Sequence, residues 1–213
     1  VQESVAILSN IFYRNFDKNE IQKFNEPKFG VNCSIKNTSK IENGVIIGDN
    51  VIVGDNNVIG ENCIIGNNTI IGSNNVITSS IIENDVKIEN NCSIGQKGFG
   101  FFIKKNKNIE IFHIGRVVLR SNVSIGSNCS IDRGSFSDTI IGNNTYLDNL
   151  CHIAHNVQIG CNSVFAAMTG VAGSTQIGNN VLTGGQVGIA GHIKIGNNVK
   201  IAAKSGVFNN IED

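Results

Sequence analysis

The stretch from Ile141 to Glu212 reads IGNNTY LDNLCH IAHNVQ IGCNSV FAAMTG VAGSTQ IGNNVL TGGQVG IAGHIK IGNNVK IAAKSG VFNNIE and divides into groups of six without a slip. Almost every group begins with a large apolar residue, and the fifth position is mostly small or β-branched. A period of six matches neither an amphipathic helix nor an alternating strand. It is typical of a parallel β-helix, in which three hexads form one triangular coil.

The same period extends through most of the chain. Earlier hexads begin at Phe29, Ile35, Ile41, Ile47, Val53, Ile59, Ile65, Ile71, Ile77, Ile82, Ile88, Ile94, Leu119, Ile125 and Ile131. One residue is missing before Ile82, an insertion spans about Gly100 to Val118, and four extra residues precede Ile141. Each irregularity follows a multiple of three hexads, so all of them fall at one corner of the prism. We expect nine coils, a prism roughly 40 Å long.

Composition narrows the function classes. The 213 residues carry 17 basic and 17 acidic side chains, a balance that gives no sign of a nucleic-acid partner. No apolar run is long enough for a membrane span, so we do not expect an integral membrane protein. Five of the six cysteines, all except Cys161, occupy the small fifth position of their hexads. We expect reduced, packed thiols and a cytoplasmic location.

The first residues differ from the rest. Val1, Val5, Leu8 and Phe12 are spaced as on one face of a short helix that ends near Asn15, and a polar linker with Pro27 follows. The hexads then begin. We therefore divide the chain into a helix and linker (1–24) and a β-helix domain (25–213) with a loop at about 100–118.

A dense polar cluster, Asp148 to Asn156, lies inside the regular repeat, and hexads alone do not explain it. Because one coil has 18 residues, Gly173 should lie directly above His155 and Arg133 directly below it. His192 should belong to the neighbouring column of Asn156. Such a polar column beside small residues is what a groove for a thin substrate requires.

His155 is the leading candidate for a general base, since imidazole is the side chain most often used to take a proton from an amine or hydroxyl. Glycine columns beside it would let backbone N–H groups approach a developing oxyanion. A solvated wall histidine is the plain alternative. A zinc site with His152 is a weaker one, because zinc usually needs three converging protein ligands. We therefore expect no metal and no bound cofactor.

The insertion forms an aromatic and basic segment. It begins Gly98-Phe99-Gly100-Phe101 and continues with several lysines. Loops on a rigid scaffold commonly carry function, although such a loop could also pack on a neighbouring subunit. For His113, within this insertion, an exposed loop position and a substrate contact remain equally open.

Five motifs in order carry a family resemblance: GFGF (98–101), IGRV (114–117), IDRG (131–134), DTIIG (138–142) and DNLCHIAHNV (148–157). Together they resemble the UDP-3-O-(3-hydroxyacyl)glucosamine N-acyltransferases of lipid A biosynthesis. The resemblance covers the chain from about Asn25 onwards and is most specific between Gly98 and Gly160. It implies a left-handed β-helix, an all-β domain with one short helix before it.

The resemblance also implies roles. His155 matches the base that deprotonates the glucosamine 2-amine during attack on an acyl-carrier-protein thioester, and Gly173 matches the oxyanion-hole glycine. The cleft would lie between subunits of a homotrimer. The candidate substrate-binding residues are Asp148, Asn149, Asn156, His192, Phe99, Phe101 and His113.

The resemblance is incomplete at both ends. Residues 1–15 are similar only to the last helix of the family's uridine-binding domain, and the C-terminal helical extension has no counterpart, so we expect a piece of a longer protein. Two alternatives remain: another β-helix transferase that uses acyl-CoA on an amino sugar or serine, and a structural solenoid without catalysis.

Overall fold

Three parallel sheets wind into a triangular β-helix in the computed structural model, which describes residues 2–13 and 26–213. The expected linker lies largely outside these residues. The elements are α1 (Gln2–Tyr13), β1 (Lys28–Phe29), β2 (Ser34–Ile35), β3 (Lys40–Ile41), β4 (Ile46–Ile47), β5 (Ile52–Val53), β6 (Val58–Ile59), β7 (Ile64–Ile65), β8 (Ile70–Ile71), β9 (Val76–Ile77), β10 (Ser80–Ile82), β11 (Lys87–Ile88), β12 (Ser93–Gln96), β13 (Phe101–Lys104), β14 (Lys107–Glu110), β15 (Val117–Leu119), β16 (Ser124–Ile125), β17 (Ser130–Asp132), β18 (Thr139–Ile141), β19 (Tyr146–Leu147), β20 (His152–Ile153), β21 (Gln158–Ile159), β22 (Val164–Phe165), β23 (Gly170–Val171), β24 (Gln176–Ile177), β25 (Leu182–Thr183), β26 (Gly188–Ile189), β27 (Lys194–Ile195), β28 (Lys200–Ile201) and β29 (Gly206–Val207).

Each sheet contains nine strands, one from every coil. The first sheet has the order β1-β4-β7-β10-β15-β18-β21-β24-β27, and the second has the order β2-β5-β8-β11-β16-β19-β22-β25-β28. The third sheet has the order β3-β6-β9-β12-β17-β20-β23-β26-β29. A parallel bridge between Ile195 and Ile211 begins a tenth turn. The predicted β-helix of nine coils is confirmed, while its left hand stays a prediction from the resemblance.

The hexad register is also confirmed. The first residue of each predicted hexad lies in a strand, and from Ile47 onward this residue points into the prism and is buried. Stacked isoleucines dominate this core, and Phe165 is the largest fully buried side chain. Parallel stacking leaves each coil in contact with its neighbours only, so stability is a sum of local interfaces.

All six cysteines are free, as predicted. Four of them are buried, whereas Cys33 and Cys161 are partly exposed. Cys92, Cys129 and Cys151 occupy one column. Hydrogen bonds with the thiols of Cys151 and Cys92, and then burial, raise the pKa of the Cys129 thiol. Helices of the described segments include none with the length and hydrophobicity needed to cross a lipid bilayer.

The insertion contains more structure than the predicted loop. β13 and β14 pair as an antiparallel hairpin, and α1 packs against it. The Asn10 side-chain amide donates to the carbonyl oxygen of Glu110 at 2.7 Å, and Lys104 pairs with Glu3 at 2.6 Å. The buried side of α1 is formed by Ala6 and Ser9, whereas Leu8 and Phe12 of the predicted apolar stripe are exposed.

Candidate active site

A cleft of about 550 Å³ lies on the outer face of the third sheet. Its floor is two columns of outward-facing residues, one from the strands and one from the positions after them. The first column is His152, Gly170, Gly188 and Gly206, and the second is Asp132, Ala154, Ala172, Ala190 and Phe208. His155, Gly173 and Phe99 also line the cleft. The result is a narrow, mostly apolar groove with polar groups at its lower end.

His155 lies at the corner after β20, where the predicted column forms. The pairing of Ile153 with Val171 places Gly173 one coil above His155. A Cβ on Gly173 would approach the Nε2 atom of His155 to 2.7 Å, so the imidazole lies directly against this glycine. Pairing of Ile131 with Ile153 likewise places Arg133 below. The sequence-derived stacking is confirmed.

Asn156 determines which nitrogen of His155 carries the proton. Its Nδ2 atom donates to the carbonyl oxygen of Ser137 at 3.0 Å, and its Oδ1 atom accepts from the backbone N–H of Ser135 at 3.1 Å. These partners can only accept and only donate, respectively, so the amide orientation is fixed. The same Oδ1 lies 2.9 Å from Nδ1 of His155. In the neutral imidazole, Nδ1 is therefore the protonated nitrogen, and the lone pair is on Nε2, toward Gly173.

Gly173 offers a backbone donor beside that lone pair. The neighbouring amides are used, since Ala172 donates to the carbonyl of Ile189 and Ser174 to that of His155. Within the described residues, the N–H of Gly173 has no acceptor. An unpaired backbone N–H at the edge of a cleft, beside an imidazole, is a donor that a developing oxyanion can use.

His113 packs against His155 from the insertion. The two rings meet edge to face with centroids 5.1 Å apart. His113 is only 6% exposed, which shows that the exposed-loop alternative is wrong. Its Nδ1 donates to the carbonyl of Ile111 at 3.0 Å, while its buried Nε2 has no hydrogen-bond partner. Burial, with a smaller contribution from His155, lowers the pKa of His113 to about 4, so this ring is neutral near pH 7.

The glycines of the insertion allow this packing. A Cβ on Gly98 would lie 2.7 Å from Cβ of His155, and one on Gly100 would lie 2.6 Å from Cε1 of His113. Phe99, 82% exposed, projects over the cleft and meets Phe101 edge to face at 4.7 Å. Phe101 and His113 do not line the cleft itself.

Three predicted substrate-binding residues do not join His155 within one chain. Asp148 and Asn149 lie at the corner before β20, across the width of the third sheet. The Oδ1 atom of Asn149 accepts from the backbone N–H of Ser127 at 2.8 Å and helps to stack two coils. His192 is exposed in the column of Asn156, two coils above it, as predicted.

Asp132 and His152 are cleft residues that the sequence analysis did not assign to the site. Nε2 of His152 lies 3.8 Å from Oδ2 of Asp132. Burial raises the pKa of the Asp132 carboxyl, although His152 and a hydrogen bond from Gln96 act in the opposite direction. Counting residues along the coils could have found this pair. Asp132 lies one coil below Ala154, and His152 lies two residues before Ala154 on the same outer face of the sheet.

The zinc alternative gains no support. In the described segments, no group of three or more His, Cys, Asp or Glu side chains could hold a metal ion.

Comparisons with known proteins agree with this fold. The family model for the bacterial transferase hexapeptide (six repeats) matches residues 44–79, 138–173 and 174–209, together just over half of the chain. UDP-N-acetylglucosamine acyltransferase from Campylobacter jejuni superposes with a TM-score of 0.75 at 26% identity, covering 84% of this chain and 68% of that one. UDP-N-acetylglucosamine O-acyltransferase from Moraxella catarrhalis superposes with a TM-score of 0.73 at 26% identity, covering 83% of this chain and 67% of that one.

Sequence relatives match a shorter part. A UDP-3-O-acylglucosamine N-acyltransferase from Caulobacter vibrioides is 50% identical over 74 residues, 35% of this chain and 22% of the relative. The protein of the same name from Dechloromonas aromatica is 53% identical over 73 residues, which are 34% of this chain and 21% of the relative. The matched segment thus spans about a fifth of the length of these relatives. With its three matched blocks of repeats, the chain belongs to the family of bacterial transferases built from hexapeptide repeats.

Proposed function

We propose that the protein is an N-acyltransferase that moves a 3-hydroxyacyl chain from acyl carrier protein to the 2-amine of UDP-3-O-acylglucosamine in lipid A biosynthesis. The observation that carries the proposal is the lone pair on Nε2 of His155, which faces the unpaired N–H of Gly173 at the end of an apolar groove. The names of the relatives and of the similar structures supply the substrate class.

The proposed reaction uses these two groups in one step each. Nε2 of His155 takes a proton from the amine as its nitrogen attacks the thioester carbonyl. The carbonyl oxygen becomes an oxyanion, which accepts a hydrogen bond from the N–H of Gly173. Collapse of the tetrahedral intermediate forms the amide and expels the carrier's thiolate, which takes the proton from the imidazolium. No cofactor of the protein is needed, because the thioester is already activated.

The floor of the groove suits an alkyl chain. Above His155 it consists of glycine, alanine and the edges of Val171 and Ile189, and it reaches Phe208. A Cβ on Gly170 or Gly188 would meet no atom within 4 Å, so the space over both glycines is open. Phe99 covers one side. We place the acyl chain here.

A homotrimer completes the proposed site. Asp148 and Asn149 lie at the opposite edge of the third sheet from His155, so a role for them in substrate binding requires a cleft shared with another copy. The same corner presents Leu150 and Met168, each about half exposed and each in the left-handed backbone conformation that costs such residues roughly 1 kcal/mol. Exposed apolar side chains beside polar candidates favour a closed symmetric interface. Light scattering should give three copies per particle, and a fully active monomer would contradict the trimer.

The direct test is mass spectrometry of the product. Purified protein receives UDP-3-O-acylglucosamine with a 3-hydroxyacyl thioester of either acyl carrier protein or coenzyme A. We expect an N-acylated sugar nucleotide from the carrier thioester. Transfer only from coenzyme A would favour the alternative transferase, and absence of product from both donors would contradict the proposal. Free cysteines support the proposed cytoplasmic location.

A further inference from the structure

A carboxylate and an imidazole face each other at the polar end of the cleft without touching. Asp132 is 5% exposed, and its Oδ1 atom accepts a hydrogen bond from Nε2 of Gln96 at 2.7 Å. Its Oδ2 atom lies 3.8 Å from Nε2 of His152, which is too long for a direct hydrogen bond. Both residues line the cleft. A hydroxyl oxygen on the cleft side of this gap can therefore lie within hydrogen-bond distance of both the carboxylate oxygen and the ring nitrogen.

The backbone is built to hold this carboxylate. The pairing of β12 with β17 shifts register between Ile94 and Gln96, and Gly95 at the shift has φ +83°. This bulge turns Gln96 so that it pairs with Asp132. Bulges commonly re-aim a side chain beside a functional site.

The orientation of the Gln96 amide is set by the Asp132 carboxylate, because its Oδ1 can only accept and so faces the NH₂ end of the amide, while hydroxyl partners can donate or accept. Its Oε1 accepts from the hydroxyl of Ser93 at 2.9 Å, and its Nε2 also donates to the hydroxyl of Ser130 at 2.7 Å. The donor side of Gln96 therefore faces Oδ1 of Asp132. Oδ2 is left as the acceptor toward the cleft, with no hydrogen-bond donor among the described residues.

We propose that Asp132 and His152 bind a hydroxyl group of the ligand in the cleft, and that this hydroxyl belongs to the transferred acyl chain. A hydroxyl both donates and accepts, so it can donate to Oδ2 of Asp132 and accept from Nε2–H of His152. A ligand without the hydroxyl leaves a desolvated carboxylate oxygen unpaired, which is costly. The inference rests on the proposed acyltransferase function and names the group that selects its donor.

The position of the pair favours the acyl chain over the sugar. Gly170 stacks directly above His152, and Ala154 stacks directly above Asp132. The pair thus continues the two columns that form the apolar floor. A chain whose carbonyl lies at His155 enters this floor within a few atoms, so a hydroxyl near the carbonyl reaches the gap. A hydroxyl of the sugar is the other source of the same chemistry.

The test compares two acyl-carrier-protein thioesters that differ only in the 3-hydroxyl. We expect the unmodified protein to prefer the hydroxylated donor by about 10- to 100-fold in kcat/KM, the range for one hydrogen bond to a charged group. Asp132→Asn keeps the acceptor for Gln96 and turns an NH₂ group toward the cleft, so acceptor becomes donor. In this variant kcat/KM should fall for the hydroxylated donor and change little for the other, so most of the preference is lost. His152→Phe, which keeps the bulk of the ring, should have the same effect.

Asp55→Asn is the matched control. Asp55 is exposed at a corner of the second coil, where it accepts a hydrogen bond from the Thr38 hydroxyl, and this variant should keep the full preference. A parallel series uses glucosamine acceptors with and without the 6-hydroxyl. If Asp132→Asn instead removes selectivity between the two glucosamine acceptors, the pair binds the sugar and the acyl assignment is overturned. Unchanged selectivity in both series would overturn the whole inference.

Calorimetry separates this inference from the proposed function. Unreactive amide analogues of 3-hydroxyacyl- and acyl-pantetheine replace the donors, and the expected preference in Kd is again about 10-fold or more. If the protein transfers no acyl group but still prefers the hydroxylated analogue, the proposed reaction fails and the binding site stands. Equal affinities for the two analogues would contradict the site even if transfer occurs.

Discussion

Two corners of the prism share a backbone conformation but carry different side chains. At the corner after the first sheet, every coil from the first to the last has Asn or Asp at positive φ: Asn32, Asn50, Asn68, Asp85, Asn122, Asn144, Asn162, Asn180 and Asn198. At the corner after the third sheet, the coils around the cleft have Asn156, Ser174 and His192 at φ near 61°. The backbone conformation is therefore similar at these two corners, and of the two only the second varies in side-chain chemistry.

The regular corner shows what asparagine does for the scaffold. Asn tolerates positive φ better than most residues, and its amide can hydrogen-bond to the amide of the next coil. Nδ2 of Asn144 donates to Oδ1 of Asn162 at 2.9 Å, and similar contacts recur along the column. At the other corner, the amide of Asn156 instead orients His155 and holds the Ser135–Ser137 segment. One residue type serves coil stacking at the first corner and ring orientation at the second.

The largest expected effect is a loss of turnover when the third residue of a hexad is changed at the corner after the third sheet, compared with the same change at the regular corner. His155→Ala should lower kcat by at least ~10²-fold, the scale of losing a general base, while the fold persists. Asn143→Ala changes the corresponding exposed residue at the regular corner of the same coil and should leave turnover unchanged. Steady-state kinetics and circular dichroism provide the measurements. Turnover of His155→Ala within a few fold of the unmodified protein would remove His155 from the role of base.

A second substitution sharpens the role of Gly173. Gly173→Ser should lower kcat by raising the activation free energy by about 2 kcal/mol. The Cβ of the new serine would lie 2.7 Å from Nε2 of His155, so it would displace the ring and obstruct the thioester carbonyl. Its φ is not positive, so little backbone strain is expected. Gly191→Ser places a Cβ 2.9 Å from the carbonyl oxygen of Gly173 and should instead lower the melting temperature. Equal loss of kcat and of Tm at both glycines would indicate that both serve packing alone.

Asn156→Ala and Asn144→Ala compare the two uses of asparagine directly. Both variants place alanine at positive φ, which should cost each about 1 kcal/mol of unfolding free energy. Only Asn156→Ala also frees Nδ1 of His155, so we expect kcat to fall roughly 10-fold in that variant alone, as for a residue that positions a base. Chemical denaturation and kinetics measure the two effects. Equal kcat values for the variants would contradict the assigned tautomer control.

The last expected effect concerns the pH dependence of stability at the insertion and leaves turnover aside. The folded chain holds His113 neutral down to pH of about 4, whereas an unfolded histidine binds a proton near pH 6.5. The stabilising contribution of neutral His113 is thus complete above pH of about 6.5 and is lost as the pH falls toward 4. In His113→Gln, denaturation curves measured across this range should show a shallower decline. Parallel declines in both proteins would contradict the buried neutral ring.

The fold and the centre of the site could be predicted from the sequence because residues 18 positions apart in the repeat stack on each other. Counting by eighteen placed Gly173 above His155 and His192 in the column of Asn156, and the structure confirms both placements. The same counting placed every irregularity after the third sheet. A regular solenoid turns sequence separation into distance, which few folds do.

The remaining features arise where the repeat is interrupted. The burial of His113 depends on how the hairpin and α1 pack back onto the prism, and no period describes that packing. The register shift at Gly95 moves Gln96 onto Asp132 and is invisible to a count that assumes whole hexads. Contacts formed by insertions and bulges follow from side-chain packing, which the repeat pattern does not encode.

The corner after the third sheet also has a consequence for how such a protein can change over time. The missing residue before β10, the long insertion before β15 and the extra residues before β18 all lie there. The corner after the first sheet carries its asparagine column without a break in length. New segments can therefore be accepted along one edge without disturbing the winding of the coils. Because His155 lies at the same edge, a change in length there alters the surroundings of the cleft and leaves the stacked sheets unchanged.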